Sequence, residues 1–204
     1  VGHMKNHMKN NVMRIFSVVL SFLILCLASI CSPTASFASE QGLEPIDLKG
    51  HWAETVIHKW VHQGLARGYG DGRFGPNDSI TRAEFVTLLN RIFNYSQKKD
   101  ISFADVKPGA WYADEIAKAY KAGIISGDNK GNMNPEAVIS RQEAAVILAR
   151  AFSLQGDHID SALNYADAGQ IAEWALGSVG IMTKAGYVTG RPGNLFAPTA
   201  NLSR

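Results

Sequence analysis

Apolar side chains recur at helical spacing along the chain, in stretches separated by loops crowded with turn formers. Trp52, Val56, Ile57, Trp60 and Val61 trace one apolar stripe; Trp111, Ile116, Ala119 and Tyr120 trace a second, and Trp174, Val179 and Met182 a third. Each stripe predicts an amphipathic helix. Glycines follow at Gly64, Gly123 and Gly186, where a helix end needs a residue at ease with positive φ. The next segment of the first stretch reads Gly68-Tyr69-Gly70-Asp71-Gly72-Arg73-Phe74-Gly75-Pro76, a loop by composition. Phe74, Met133 and Phe196 each stand two positions before a proline and are expected to plug their loops onto the core. A second helix then begins explicitly. Thr81 with Glu84, and Ser140 with Glu143, have capping-box spacing, the hydroxyl accepting from a free N–H while the carboxylate reaches back to the cap. Phe85, Val86, Leu88, Leu89, Ile92 and Phe93 follow in one case, and Ala145, Val146, Ile147, Leu148 and Phe152 in the other, each set predicting a broad buried face.

These stretches are copies of one unit. From Trp52, Trp111 and Trp174 the three segments keep one register over 30 positions, through Gly68, Gly127 and Gly190, then Pro76, Pro135 and Pro198, to Arg82, Arg141 and Arg204. The third copy reaches Leu202-Ser203-Arg204, the start of a second helix, where the sequence stops. Units this small cannot each bury much surface alone, so they must share a core, and a bundle of the three first helices is the expected source. Residues 94–102 and 153–164 read as polar connectors.

The first 38 residues differ in kind from the rest. Lys5, Lys9 and Arg14 give a basic start, Ile15 to Ala28 is an apolar run, and Ser36-Phe37-Ala38 offers small residues at a peptidase site. We expect a signal peptide over 1–38, cleaved after Ala38. The apolar run is short for a bilayer span of about 20 residues, and Cys31 follows Ile30, where a lipoprotein signal wants a small residue. Both cysteines, Cys26 and Cys31, lie in this leader, so the expected mature chain has no disulfide. Without Lys5, Lys9 and Arg14 the chain carries 17 basic against 18 acidic side chains, a net charge of about −1. That balance points away from nucleic acid as a partner. No membrane contact is expected after cleavage.

The repeated motifs resemble those of S-layer homology domains over about Pro45 to Arg204. The resemblance lies in Asp47 with Trp52-Ala53, the Gly68 to Pro76 loop, and Thr81-Arg82-Ala83-Glu84, with counterparts in the later copies. It divides the chain into repeats at 45–93, 103–152 and 165–204, the third truncated. It implies an all-α, pseudo-threefold arrangement of helix-loop-helix repeats, with first helices in a central bundle and loops and second helices forming prongs. It also implies noncovalent anchoring to pyruvylated secondary cell-wall polysaccharide, bound in grooves between repeats at the cell surface, without a cofactor. Carried over by position, the ligand-binding residues are Asp47, Trp52, Gly68 and Arg82; Asp105, Trp111, Gly127 and Arg141; and Asp167, Trp174, Gly190 and Arg204. Departures are Pro45 where Phe103 and Tyr165 stand in the other copies, and Ser140-Arg141-Gln142-Glu143 for the helix-opening motif.

The residue types suit an acidic sugar. A ketal-linked pyruvate presents a carboxylate, which arginine meets with two parallel N–H bonds. Arg82 and Arg141 fall in the first turn of a helix, where a cation opposes the macrodipole by about 0.3 to 1 kcal/mol. Either an anionic ligand compensates, helped by the helix end, or an intramolecular acid such as Asp47 or Asp105 does. The three tryptophans can stack on a sugar face, but they head apolar stripes, which makes core packing their expected primary role. The loop glycines either let backbone N–H groups approach the sugar or supply turn geometry.

Other chemistries lack their parts. His58 and His62 lie one helical turn apart as zinc-protease ligands do, but Lys59 occupies the general-base position and no third ligand follows. Gly68 to Gly72 has no preceding strand and no Lys-Ser/Thr after it, so a phosphate loop is unsupported. Asp128 to Asn132 approaches a calcium loop, but its glycine is misplaced and it has no terminal bidentate Glu. A glycoside hydrolase needs two carboxylates facing one cleft; Asp114-Glu115 is the only adjacent acidic pair in the mature chain, and helical neighbours point apart. The chain is therefore read as an anchor rather than an enzyme, with peptidoglycan-linked glycan as an alternative ligand. A tethered surface-layer lattice protein, or a larger exported glycan-active enzyme, would be what such an anchor carries.

Overall fold

A computed structural model describes residues 45–156 and 158–204; the expected leader and both cysteines lie outside the described residues. The helices are α1 (Glu54–His62), α2 (Arg82–Ile92), α3 (Ala113–Lys121), α4 (Arg141–Ala151), α5 (Ile159–Leu163) and α6 (Glu173–Lys184), with a short 3-10 turn at Ala168–Gln170 before α6. Among the described residues there is no strand, only isolated bridges such as Thr81 with Val138 and Ser140 with Asn201. The class is all-α.

The local signals fold as their chemistry requires. Helices α1, α3 and α6 end on Gly64, Gly123 and Gly186 at φ of 69°, 75° and 77°. In each, the N–H of the glycine and of the next residue turn back onto the last helical turn, as Gly64 does to Val61 O and Leu65 to Trp60 O. Both capping boxes are complete: Thr81 Oγ1 accepts from Glu84 N at 3.3 Å while Thr81 N donates to Glu84 at 2.8 Å, and Ser140 with Glu143 repeats the exchange. The loop plugs are buried, Phe74 at 6%, Met133 at 1% and Phe196 at 1% exposure.

The copies interlock through their loops. Ile80 N donates to Leu202 O, Leu202 N to Ile139 O, and Ile139 N to Ile80 O, at 3.0 to 3.1 Å. These residues hold equivalent positions, two before each motif arginine, so the three bonds close a ring through all three copies. Each second helix then uses the next copy to satisfy its free N–H groups: Arg82 N and Ala83 N donate to Ala137 O and Pro135 O, and Arg141 N and Gln142 N to Ala200 O and Pro198 O. Arg204 N completes the cycle on Asp78 O.

The largest core cluster lies at these seams rather than in a bundle of first helices, while Leu48, Ala53, Ile57, Ala66 and Phe74 form a separate cluster within copy 1. Extensive helix packing pairs α2 with α3, α4 with α6, and α5 with α6, and no two first helices are among these pairs. The expected central bundle is thus replaced by contact between the second helix of one copy and the first helix of the next. Val86 and Leu89 of α2 meet Ile116 and Ala119 of α3, and Tyr112 just before it, around Ile80 and Ile139, while Val146 of α4 meets Val179 of α6 beside Phe196. A fully buried side chain such as Ile116 or Ile139 contributes about 1.5–3 kcal/mol.

The second connector also differs from its expected form, since it contains α5. Ala162 of α5 is fully buried. Gly180, in the middle of α6, makes the approach possible, because a Cβ there would run into the His158 carbonyl.

Candidate functional site

Two grooves open between copies, and each draws on all three. The first, of about 290 Å³, has Gly68 and Tyr69 from the loop of copy 1, Arg91 from α2, Trp111 from copy 2 and Arg204 from copy 3. The second, of about 510 Å³, has Gly127 and Asp128 from the loop of copy 2, Arg150 from α4, Trp174 from copy 3 and Arg82 from copy 1. The rule is the same for both: loop and second helix from one copy, tryptophan from the following copy, motif arginine from the preceding one. The structure thereby brings Gly68, Trp111 and Arg204 together at one site and Gly127, Trp174 and Arg82 at another. Residues carried over from a single copy do not share a groove.

The tryptophans are the clearest correction. Trp52 is 90% exposed, Trp111 62% and Trp174 60%, so core packing is not their role. Trp52 and Trp111 stand just before their first helices and Trp174 in the first turn of α6, where Ala53, Tyr112 and Ala175 are the buried residues and the indole is left outside. Three equivalent exposed indoles, two of them lining grooves, form surfaces on which a flat ring can stack.

The motif arginines are partly engaged, and by partners the motif spacing did not suggest. Arg82 Nη1 donates to Glu143 Oε1 at 2.9 Å, and Arg204 Nη1 lies 3.5 Å from Glu84 Oε1. The acid is the capping-box glutamate of the next copy, not Asp47 or Asp105. One carboxylate thus caps its own helix and holds the neighbour's guanidinium. Arg204 also donates to Arg67 O at 2.8 Å and lies over the Tyr69 ring at 4.2 Å. Arg141 donates through Nε to Phe196 O at 2.8 Å and packs over that ring; burial, with Arg191 adding repulsion, lowers its pKa. Arg82 Nε is buried with no hydrogen-bond partner. Because neighbouring carbonyls take the N–H groups of Arg82, Ala83, Arg141 and Gln142, the helix ends offer no open anion site. Any attraction for an anion comes from the guanidinium groups.

The motif aspartates build the loops. Asp47 accepts from Phe74 N and Gly75 N at 2.8 and 2.7 Å, Asp105 from Met133 N and Asn134 N at 2.8 and 2.6 Å, and Asp167 from Phe196 N and Ala197 N, both at 2.7 Å. Each carboxylate pins the plug residue and the one after it, which sits at positive φ in every copy. Burial pushes the Asp47 carboxyl up, but its two loop N–H bonds outweigh that and leave it below the usual carboxylate range. The loop glycines answer to crowding rather than to φ. A Cβ on Gly127 would fall 2.7 Å from the Phe103 ring, and one on Gly68 would fall 2.5 Å from Arg73 O.

Arg67, Arg91 and Arg150 line the grooves from outside the repeated motifs, and Tyr69 lines the first from within the loop motif without having been among the expected ligand-binding residues. Arg91 and Arg150 stand at equivalent positions in α2 and α4 and reach back to Leu65 O and Ile124 O at 3.4 and 3.5 Å. Extending the repeat register nine positions past Arg82 and Arg141 would have found them. Arg91 is held below its usual pKa by burial and by Arg67, so two cations crowd the first groove.

Asp114 and Glu115 are separately engaged, Asp114 with Lys98 at 3.0 Å and Glu115 with Lys118 at 2.6 Å and Asn90 at 2.7 Å. Asp128 accepts from Lys130 N and Asn132 N, which makes its segment a turn. No group of three or more His, Cys, Asp or Glu side chains among the described residues is placed to hold a metal ion. Among the same residues no helix is long and apolar enough to cross a membrane.

The S-layer homology domain profile matches residues 47–86, 102–145 and 164–204, over half the chain, and the chain belongs to that family. It is 38% identical over 162 residues to an amylopullulanase of Thermoanaerobacterium thermosulfurigenes, covering 78% of this chain and 9% of the relative. It is 36% identical over 162 residues to the exoglucanase XynX of Acetivibrio thermocellus, covering 78% of this chain and 15% of the relative. It is 31% identical over 167 residues to the surface-layer 125 kDa protein of Lysinibacillus sphaericus, covering 82% and 14%. The chain thus spans a small fraction of relatives whose names otherwise differ, and what it shares with them is the repeated module.

Proposed function

We propose that this chain is a noncovalent anchoring module that holds an exported protein to the cell wall by binding an anionic, pyruvylated secondary wall polysaccharide in the grooves between its repeats. One observation carries the reading: each groove collects an exposed tryptophan and a motif arginine from two different copies onto the loop of the third. Such a site exists only in the assembled triplet. A sugar ring stacks on Trp111 or Trp174, and Arg204 with Arg91, or Arg82 with Arg150, present N–H donors to the glycan's acidic and hydroxyl groups. The arginine bound by Glu84 or Glu143 is positioned by that acid and keeps donors for a ligand. Asp47, Asp105 and Asp167 serve the site by holding the loops, and Gly68, Gly127 and Gly190 by letting them close. Arg141 donates to Phe196 O and Thr189 O, in the loop that carries Gly190, and the same rule assigns Trp52 to that loop.

The ring of bonds through Ile80, Leu202 and Ile139 supports a pseudo-threefold arrangement of repeats 45–93, 103–152 and 165–204, with the loops and second helices as prongs. Residues 1–38 act in this reading as the export signal, placing the mature module at the cell surface. The cargo is a catalytic region, as the amylopullulanase and exoglucanase suggest, or a surface-layer lattice, as the Lysinibacillus protein suggests. The module itself contributes binding and not bond cleavage.

The test measures affinity of the mature chain and its Arg82→Ala, Arg141→Ala and Arg204→Ala variants for purified wall polysaccharide. Losing one charge-assisted contact of about 1.5–3 kcal/mol weakens binding roughly tenfold to a hundredfold at the affected groove. Unchanged affinity in all three variants, with folding intact, removes the arginines from the site. Release of sugar from the polymer by the mature chain would make it an enzyme instead.

A further inference from the structure

The two grooves are built alike but charged differently, and two positions make the difference. Where the first groove has Arg67, the second has Ser126; where the first has Tyr69, the second has Asp128. With the shared pairs Arg204–Glu84 and Arg82–Glu143 cancelling, the first groove keeps the charges of Arg91 and Arg67. The second keeps Arg150 opposed by Asp128. The first is therefore a net double cation and the second is neutral. In the first, Arg67 stands close enough to Arg91 to disfavour its charged form, a repulsion that an anion would relieve. In the second, Asp128 stays ionised, held by the backbone N–H groups of Asn132 and Lys130.

We propose that the grooves divide the polymer between them, the first taking the acidic, ketal-bearing sugar and the second an uncharged sugar, with Arg67 and Asp128 as the residues that set the difference. This rests on the reading above that the grooves bind a wall glycan. A carboxylate entering the second groove meets one arginine already paired with Glu143 and a second balanced by Asp128. A neutral ring meets the same Trp174 face without that repulsion. The charges can be changed with the backbone bonds of the loops kept, at the loss of the 3.3 Å bond that Asn134 Nδ2 donates to Asp128 Oδ2. Both backbone bonds to Asp128 end on Oδ1, which the amide of Asp128→Asn retains. Arg204 holds Arg67 through its carbonyl, which Arg67→Ser leaves in place.

Trp111 and Trp174 provide a separate reporter for each groove. The indole N–H resonances of 15N-labelled protein are followed during titration with a methyl hexopyranoside bearing a 4,6-linked pyruvate ketal, and with its uncharged methyl ester. With the acid, Trp111 is expected to titrate at roughly tenfold lower concentration than Trp174, and with the ester the gap closes. Asp128→Asn is expected to tighten the Trp174 curve for the acid roughly three- to tenfold, and Arg67→Ser to weaken the Trp111 curve by a similar factor, the scale of one screened charge at close range. Equal curves for the two indoles with the acid, both tighter than with the ester, would overturn the division of labour while leaving anionic-glycan binding intact. An Asp128→Asn variant with an unchanged Trp174 curve would overturn it too. Indoles that respond alike to acid and ester, or to neither, would remove the underlying reading and this inference with it.

Discussion

Truncating Asp167 tests the loop clamp where it is most buried. The carboxylate is 9% exposed and takes the N–H of Phe196 on one oxygen and of Ala197 on the other, each at 2.7 Å. Asp167→Ala leaves both donors without an acceptor. A hydrogen bond to a charged group contributes about 1.5–3 kcal/mol. Phe196 is at 1% exposure, so its N–H has little access to water, whereas the half-buried Ala197 can recover part of its loss. The net cost is about 2–5 kcal/mol, which in a domain of this size lowers Tm by about 5–15 °C. Asp167→Asn is expected to fall between, since one oxygen remains and an amide N–H2 faces the second donor. Thermal melting followed by circular dichroism at neutral pH gives the number, and hydrogen exchange at Phe196 gives the location. A Tm within about 2 °C of the parent for the alanine variant, with exchange at Phe196 unchanged, would refute the clamp and leave the motif aspartates free for another role.

The same bonds predict an acid limb. Because the folded-state pKa of Asp47 is depressed, its contribution is present above the unfolded value of about 3.9 and is lost as pH falls through the lower folded value; Asp47→Asn should flatten stability against pH in that range, measured by urea unfolding at successive pH values. Ala197 sits at φ 55° where copy 1 has Gly75, so Ala197→Gly should stabilise by about 0.5–1 kcal/mol, seen as a higher urea midpoint. Gly127→Ala drives a methyl to 2.7 Å from the Phe103 ring and should cost about 1–3 kcal/mol by the same measurement. Trp111→Ala should leave Tm nearly unchanged, since the ring is 62% exposed, while weakening glycan binding; a large loss of stability would return this residue to the core.

Signals confined to a few neighbouring residues could be read from sequence. The capping boxes at Thr81 and Ser140, the helix-ending glycines and the plugs Phe74, Met133 and Phe196 depend on chemistry within one copy, and they fold accordingly. The seams were not legible in that way. Apolar period identifies the buried face of α3 without saying that α2, rather than another first helix, covers it. Trp52 and Trp111 continue the apolar stripe in register but fall before the helix begins, and Trp174 stands in the first turn of α6, so a helical wheel places them inside while the backbone turns them out. Short α5 was hidden because its burial depends on Gly180, far along the chain. The candidate site was legible by residue type and not by grouping. Arg82 pairs with Glu143 across two copies, a partnership that no spacing within one motif can announce.

Retention on wall sacculi tests the central claim most directly. The mature chain is mixed with sacculi from a bacterium whose wall polymer carries pyruvate, and with the same sacculi after mild acid removal of that pyruvate, and the bound fraction is measured across protein concentration. Saturable binding that falls at least tenfold in affinity when the ketal is removed is the predicted result. Equal binding to both preparations, or none to either, would contradict an anchor that works by placing arginines against an acidic sugar.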